Sequence, residues 1–351
     1  MRRSRISKDG SNVNESDSNK KVTTIVSVVV VTKNSEKYIS KCLESLFNQN
    51  FNSSMYEIIV VDGGSRDNTL KICKDFQIKY RGMLDLKVIV DPGGSIGHSR
   101  NVGVCASRGK YVAFIDSDCV AEKEWLSKLV ELIDNIDEKV VAVGGPNLVP
   151  EDSPPLSKVI GFMQESFFGS GRSPQSYRFK RARFVYSLAN CNAIYRRHAL
   201  LRVPYDNSIN IGEDCDLNFR LLQKGYKLLF VPDVIVWHYR PERIKTFMKK
   251  MFSYGYAMAR IHKKYRKIVR WYAPVPSIAM TLMAIMLSFS FFIHEISMIG
   301  LLFFSIYAIT DVFTTLQVLH KYRSYWSFLT MLLLPLQHAC YAVGFLVGII
   351  R

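Results

Sequence analysis

Two carboxylates separated by one residue, Asp116 and Asp118, end a run of apolar residues. In an extended chain, alternate side chains point the same way, so both carboxylates can face one ligand. Hard oxygen donors suit Mg²⁺ or Mn²⁺, and such an ion can hold a diphosphate. Asp-Ser-Asp is also ordinary turn chemistry, so a surface turn is the alternative. The surrounding elements and motifs decide between them.

The carboxylates follow residues 110–115, where β-branched and aromatic residues run together as in a strand buried on both faces. Further apolar runs predict strands at residues 25–31, 57–61, 86–90, 140–143, 228–231 and 234–237. Helical spacing predicts helices at residues 36–47, 69–76, 98–106, 122–136 and 212–222. Strands alternating with helices predict an α/β fold with a mostly parallel sheet, whose ligand site lies past the carboxyl ends of the strands.

Five motifs occur in a recognisable order. They are Thr32-Lys33-Asn34, Asp62-Gly63-Gly64-Ser65, Arg100-Asn101, Asp116-Ser117-Asp118 and Gly212-Glu213-Asp214. Together they resemble the large inverting glycosyltransferase family with the GT-A fold, which includes dolichol-phosphate-sugar synthases. The resemblance covers about residues 25–239. It implies a Rossmann-like domain that binds a nucleotide sugar.

The resemblance implies a donor site at the carboxyl ends of the strands. The implied nucleotide-sugar contacts are Thr32, Asn34, Glu36, Asp62, Arg100, Asp116 and Ser117. Asp62 would accept from an N–H of the base, which uracil and guanine both offer. The family often has Pro-Thr-Tyr-Asn-Glu in its first motif, and this chain differs at Val31, Lys33 and Ser35. Glu36 is then the candidate for the acidic ribose contact.

The resemblance also implies catalytic and metal-binding roles. Asp214 matches the general base that deprotonates an acceptor hydroxyl, and Glu213 would orient the acceptor. Helix capping is the alternative for this acidic cluster, because a helix amino terminus favours negative charge. Asp118, Asp116 and His238 are the implied ligands for Mn²⁺ or Mg²⁺. The candidate acceptor or diphosphate contacts are Asn192, Arg196 and Arg240.

The net charge of +17 comes from 47 Lys and Arg against 30 Asp and Glu. A nucleic-acid site would need these residues on one groove interleaved with stacking aromatics. Instead many of them lie just before the most apolar part of the chain, at Arg240, Arg243, Lys245, Lys249, Lys250, Arg260, Lys263, Lys264, Arg266, Lys267 and Arg270. This placement indicates a membrane surface and no nucleic acid.

Seven cysteines with no Cys-x-x-Cys pair argue against a disulfide framework and against a zinc site. The catalytic part is therefore expected in a reducing compartment. Residues 1–24 are polar without an apolar segment, which predicts a disordered tail and no signal peptide.

We expect the catalytic domain at residues 25–241, basic amphipathic interfacial helices at residues 242–272 and transmembrane helices at residues 273–351. Three apolar stretches occur, at residues 277–293, 296–318 and 326–350. A span needs ~20 apolar residues, so the first is marginal, and a re-entrant pair joined at His294-Glu295 is the alternative. The distribution of basic residues predicts a multi-pass protein with its catalytic domain on the cytoplasmic face.

The sequence therefore predicts a metal-dependent, membrane-bound inverting glycosyltransferase that uses a UDP- or GDP-sugar. The acceptor would be lipid-linked, either a polyprenyl phosphate or a lipid-linked glycan. A Gln-x-x-Arg-Trp motif that holds a growing polymer is absent after Asp216, which favours transfer of a single sugar. The alternative is a catalytically inactive membrane scaffold. Two features would suit it, the altered turn at residues 32–35 and the residue Gly63.

Overall fold

A computed structural model describes residues 24–267, 269, 270, 272–290 and 294–351. Nearly all of the predicted polar tail, residues 1–23, lies outside the described residues. The strands are β1 Val26–Thr32, β2 Tyr56–Asp62, β3 Asp85–Val90, β4 Tyr111–Asp116, β5 Cys119–Ala121, β6 Val140–Gly144, β7 Asn147–Leu148, β8 Arg183–Val185, β9 Ala193–Arg196, β10 Lys227–Phe230 and β11 Val236–His238.

Helices alternate with these strands, and the elements that follow β11 are all helical. They are α1 Ile39–Phe47, α2 Thr69–Lys79, α3 Ile96–Ala106, α4 Trp125–Asp134, α5 Pro155–Gln164, α6 Phe167–Ser170, α7 Arg197–Arg202, α8 Glu213–Gln223, α9 Ile244–Tyr265, α10 Val275–Phe289, α11 His294–Tyr322 and α12 Thr330–Ile350. Single 3₁₀ turns lie at Ser53–Met55, Asn190–Asn192 and Tyr325–Leu329. The α/β class predicted from the sequence is confirmed.

The main sheet has the strand order β3-β2-β1-β4-β9-β6-β10-β8. Strands β1, β2, β3 and β4 are parallel, with Thr32 beside Asp62 and Val31 beside Asp116. The ends of these strands therefore meet at one edge. Their apolar runs do not alternate with polar residues because helices cover both faces, with Leu43 buried in one core and Leu217 in the other.

Strand β9 lies antiparallel between β4 and β6 and was not predicted. Its pairing places Ala193 beside Phe114 and Arg196 beside Tyr111. Arg196 thus lies beside the first residue of β4, whereas Asp116 is the last. This register places Arg196 at the end of the sheet opposite Asp116.

A small second sheet has the order β5-β11-β7. Strands β5 and β11 are antiparallel, and His238 pairs directly with Cys119. This sheet brings the end of β11 against the turn that follows β4. His238 is thereby held beside Asp118, although the two are distant in sequence.

Helix α9 packs against α12 with backbone contact. A Cβ added at Gly255 would lie 2.0 Å from the carbonyl oxygen of Tyr341, and one at Gly344 would lie 2.0 Å from that of Phe252. Small residues let two helix backbones approach this closely. The basic helix predicted after the catalytic domain therefore forms, and one face of it is joined to the last apolar helix.

Within the described part of the chain, two helical segments are long and apolar enough to cross a membrane, Ile296–Tyr322 and Tyr325–Ile350, with mean hydropathies of 1.9 and 1.7. Helix α10 has only 15 residues, fewer than the ~20 that a span needs. Residues 291–293 lie outside the described residues. Helix α11 begins at His294. His294 and Glu295, predicted to join two apolar segments, are therefore part of this helix.

Candidate active site

Arg100 of α3 joins the two acidic motifs predicted from the sequence. Its Nη2 lies 3.1 Å from Oδ1 of Asp116, and its Nη1 donates to Oε1 of Glu213. The guanidinium is buried and lies over the rings of Phe114 and Tyr205, 5.8 Å from each centroid. Burial opposes its charge, but the carboxylates of Glu213 and Asp116 raise the pKa of Arg100. The end of β4 and the start of α8 therefore belong to one site.

The sequence predicted Arg100 as a nucleotide contact. In the structure its side chain is only 4 % exposed and both terminal nitrogens are engaged by carboxylates. This geometry makes Arg100 the group that holds Asp116 and Glu213 in position. A buried cation also offsets the cost of bringing these carboxylates together.

Asp118 and His238 form the second pair. Oδ2 of Asp118 lies 3.5 Å from Nε2 of His238, and Nη1 of Arg240 lies 3.2 Å from Nδ1 of the same ring. Desolvation would raise the pKa of Asp118, but His238 holds it below its ordinary value. Burial alone would lower the pKa of His238, and Asp118 raises it to about 9. Arg240 is therefore a charged neighbour of the ring, and its positive charge opposes the rise in the pKa of His238.

The residues predicted to hold Mn²⁺ or Mg²⁺ fit such an ion chemically. Asp116, Asp118 and His238 offer carboxylate oxygens and an imidazole, which Mn²⁺ accepts. Burial raises the pKa of Asp116, Arg100 opposes this, and the neighbouring Asp118 adds to it. A cation between the two carboxylates would relieve that repulsion.

Asp214 and Glu213 begin helix α8. Oδ1 of Asp214 accepts from the backbone N–H of Cys215 at 2.7 Å, and its Oδ2 accepts from Nε2 of Gln175. Burial raises the pKa of Glu213 to about 7 although Arg100 opposes the shift. Asp216, the third carboxylate of the cluster, is fully buried and paired with Arg220 and Lys264. Asp216 is therefore a structural carboxylate, and Glu213 and Asp214 are the candidates for chemistry.

Gln175 and Arg270 are site residues that the sequence analysis missed. Nη1 of Arg270 lies 3.3 Å from Oε1 of Gln175, and its Nη2 lies 2.8 Å from Sγ of Cys215. Both belong to irregular segments, one after α6 and the other after α9. The sequence has a stretch rich in Gly and Ser at residues 169–174, before Gln175, and a run of basic residues that ends at Arg270. Neither pattern points to Asp214.

Several of the other predicted nucleotide-sugar contacts lie at the same ends of the strands as Asp116. Asp62 is fully buried and accepts from the backbone N–H groups of Gly64 and Ser65, at 3.2 and 2.9 Å. Ser117 donates to the hydroxyl of Ser35 at 2.8 Å. The buried hydroxyl of Thr32 has no hydrogen-bond partner within the described part of the chain. These groups share the edge where Asp116 lies.

Asn34 and Glu36 connect the turn after β1 to the turn before α2. Oδ1 of Asn34 accepts from the N–H of Arg66 at 2.8 Å, and Oε2 of Glu36 accepts from the N–H of Asn68 at 3.0 Å. Both side chains are exposed and take part in structural contacts. The ribose contact suggested for Glu36 stays a prediction.

The structure contradicts the predicted acceptor or diphosphate role of Arg196. Its buried guanidinium donates to the carbonyls of Val140, Ile133 and Ile136 at 2.9 to 3.1 Å. Antiparallel pairing puts it at the sheet edge opposite Asp116, so it stabilises the end of α4.

The predicted acceptor role of Asn192 is also at odds with its contacts. Its amide donates to the carbonyls of Pro146 and Val234 at 2.8 Å, and its oxygen accepts from Nε1 of Trp125. The side chain is 0 % exposed. Asn192 therefore braces the site from within the core.

Comparisons with known proteins identify the family and the fold of the chain. Residues 27–203 match the family described as Glycosyl transferase family 2. A relative from Methanococcus voltae, dolichyl N-acetyl-alpha-D-glucosaminyl phosphate 3-beta-D-2,3-diacetamido-2,3-dideoxy-beta-D-glucuronosyltransferase, is 28% identical over 93% of this chain and 97% of its own. Glycosyltransferase AglE from Haloferax volcanii is 30% identical over 66% of this chain and 71% of its own.

One solved structure resembles nearly the whole chain. It is the mannosyltransferase PcManGT from Pyrobaculum calidifontis, in complex with GDP-Man and Mn²⁺, with a TM-score of 0.63 and 18% identity. The similarity covers 92% of this chain and 86% of that one. At this low identity the similarity shows the fold alone. The structural match confirms the predicted GT-A architecture.

Proposed function

The chain belongs to glycosyl transferase family 2 and is a glycosyltransferase; from this premise we propose that it moves one sugar, with inversion, from a UDP- or GDP-sugar to a lipid-linked glycan. The observation that carries the proposal is Arg100, which joins Asp116 at the donor motif to Glu213 beside Asp214. One site would thereby combine a diphosphate-holding group with a base.

The donor side uses Asp62 and the pair Asp116 and Asp118. Asp62, at the end of β2, would meet an N–H of the base, and Arg100 keeps Asp116 directed at the diphosphate. When bound at Asp116, Asp118 and His238, Mn²⁺ or Mg²⁺ would neutralise the charge developing on the leaving diphosphate. Arg240 lies beside His238 and adds positive charge on the same side.

The acceptor side uses Asp214 as general base. The acceptor oxygen forms a bond to the anomeric carbon, the bond from that carbon to the diphosphate breaks, and the acceptor proton moves to Asp214. Attack opposite the leaving group gives inversion. Gln175 and the N–H of Cys215 orient the carboxylate, which retains other lone pairs for the incoming hydroxyl.

A lipid-linked sugar is the favoured acceptor for two reasons. The relative from Methanococcus voltae is named for a dolichyl phosphate that already carries N-acetylglucosamine. A sugar hydroxyl needs a base such as Asp214, whereas a bare polyprenyl phosphate is already anionic. We therefore favour the glycan hydroxyl over the lipid phosphate.

The proposal places the catalytic domain at the cytoplasmic face of a multi-pass protein. Helices α11 and α12 are the candidate spans. Helix α9 exposes Lys245, Lys249, Arg260 and Lys263. Basic residues beside spans favour the cytoplasmic side and anionic head groups.

The test is transfer and nucleoside-diphosphate release by the full-length protein in detergent, with a panel of UDP- and GDP-sugars. Each donor is supplied with Mn²⁺ or with EDTA, and with polyprenyl phosphate, polyprenyl-phosphate-linked N-acetylglucosamine or neither. We expect one donor to be used, only with metal, and only the glycosylated lipid to accept. Release from no donor together with no donor binding would favour the inactive scaffold.

Two variants separate the donor and acceptor roles. Asp214→Asn should reduce transfer about 10²- to 10⁴-fold while donor binding persists. Asp118→Ala should abolish metal-dependent donor binding, and Asp75→Asn, at an exposed position of α2, is the matched control. Full transfer by Asp214→Asn would assign the base elsewhere or indicate a phosphate acceptor.

A further inference from the structure

Two thiols and an imidazole from three distant segments converge behind the proposed donor site. The side chains of Cys119, Cys191 and His238 each offer a ligand atom, and these atoms all lie within 4.8 Å of one another. Cys119 is 1 % exposed and Cys191 is 4 % exposed. We propose that these three residues, with Asp118, form a binding site for a thiophilic divalent ion such as Zn²⁺.

The site is built on ordered elements. Cys119 begins β5 and pairs across the small sheet with His238 of β11. Cys191 lies in the 3₁₀ turn Asn190–Asn192, whose last residue is anchored by three hydrogen bonds. The ligands are therefore held in place without the ion, as a binding site requires.

Asp118 supplies the fourth ligand. Its Oδ1 lies 3.9 Å from Sγ of Cys119, and its Oδ2 lies 3.5 Å from Nε2 of His238. A tetrahedral zinc ion with its usual bonds to sulfur and nitrogen has ligand-to-ligand edges of about 3.3 to 3.8 Å. The observed separations need only small side-chain rotations to reach this geometry. Two sulfurs, one nitrogen and one oxygen select zinc over magnesium or calcium.

Outer contacts support the same assignment. Nδ2 of Asn147 donates to Sγ of Cys191 at 3.3 Å, as outer hydrogen bonds do to metal-bound ligands. Two thiolates and one carboxylate would give a zinc site one net negative charge, and the guanidinium of Arg240 lies beside His238 to balance it. Ligation through Nε2 makes Nδ1 a donor, so Arg240 would turn to Asn147, which it already contacts at 3.0 Å.

This inference goes beyond the proposed transferase activity. Asp118 and His238 are proposed ligands both of the Mn²⁺ or Mg²⁺ site with Asp116 and of the zinc site with the two thiols, so they cannot serve both ions at once. Zinc held by the thiols would withdraw two groups from the donor cleft. We expect Zn²⁺ to inhibit transfer and substitution of either cysteine to relieve that inhibition.

The direct test uses Co²⁺ as a spectroscopic probe of the reduced, full-length protein kept free of oxygen. We expect thiolate-to-cobalt charge-transfer absorption, intense visible bands of tetrahedral cobalt, and loss of both on addition of Zn²⁺. Cys119→Ser and Cys191→Ser should each lose the charge-transfer band. Cys73→Ser, at a buried cysteine of α2, is the matched control and should keep it.

Thermal melting of each variant shows whether it folds, and the wild-type spectrum decides the question even if one does not. Weak octahedral bands without charge transfer in the wild type would overturn the proposal. A charge-transfer band retained by a folded variant that carries both Cys119→Ser and Cys191→Ser would do the same. The cobalt spectrum is measured independently of transfer. The zinc site can therefore be refuted while the transferase activity is confirmed, and the reverse.

Discussion

The side-chain amide of Gln175 donates a hydrogen bond to Oδ2 of Asp214, and its oxygen lies 3.3 Å from Nη1 of Arg270. Arg270 follows helix α9, which packs on α12. The carboxylate proposed as the base is thus oriented through a segment joined to an apolar helix. Movement of α9 relative to the catalytic domain would therefore reach the base through two side chains.

Gln175→Ala tests whether this contact positions the base. The variant should lose about tenfold in kcat, less than removal of the base itself, because Asp214 keeps its contact with the N–H of Cys215. Donor affinity should not change. Steady-state transfer and equilibrium donor binding measure the two effects. Gln223→Ala, at an exposed residue of α8, is the control, and equal losses in both variants would contradict the role.

Arg100→Ala tests the bridge between Asp116 and Glu213. Removing the cation leaves two carboxylates in a largely buried site without compensation, which should cost about 3–5 kcal/mol of stability. Arg100→Lys keeps the charge but cannot reach both partners. The variant should therefore fold, but its transfer activity should be low. Thermal melting and nucleoside-diphosphate release distinguish the variants. Arg66→Lys, at an exposed position, should behave as wild type; an Arg100→Lys variant that does the same would refute the bridge.

Glu213 should make stability depend on pH. Burial raises the pKa of its carboxyl from 4.5 to about 7, so the folded state binds this proton more tightly than the unfolded state. Its stabilising contribution is full below the unfolded pKa and is lost as the pH rises through about 7. The neutral variant Glu213→Gln lacks this titration.

The melting temperature of Glu213→Gln relative to wild type should accordingly be higher at about pH 8 than at about pH 5. Melting in the absence of donor and metal, at several pH values, measures that difference. A constant offset between the two proteins across this range would show that Glu213 does not titrate there.

Gly255→Ala tests the contact of α9 with α12. The added Cβ would lie 2.0 Å from the carbonyl oxygen of Tyr341, so one helix must move. We expect a fall of several degrees in the melting temperature in detergent and weaker transfer. Gly300→Ala is the matched control, because among the described residues the added carbon would meet only Cβ of Met286, at 3.4 Å. Alanine favours a helix by about 1 kcal/mol over glycine, so the control should be neutral or stabilising.

Much of this architecture was visible in local patterns. The runs that became β1, β2, β3 and β4 were predicted to within one or two residues, because strands buried on both faces must be continuously apolar. The grouping of the carboxylates at the ends of these strands was also predictable, because parallel strands have their carboxyl ends at the same edge of the sheet. The apolar segments corresponding to α11 and α12 were likewise recognised by length and composition alone.

Tertiary structure decided what depends on partners distant in sequence. Arg196 and Asn192 lay in a plausible motif, but antiparallel insertion of β9 turned one to the far edge of the sheet and the other into the core. Gln175 was recognisable only once its loop folded onto Asp214. Cys119 and Cys191 have no metal-binding spacing, yet strand pairing brings both to His238. Local periodicity reports which face of an element is buried, whereas these contacts arise from how separate elements pack together.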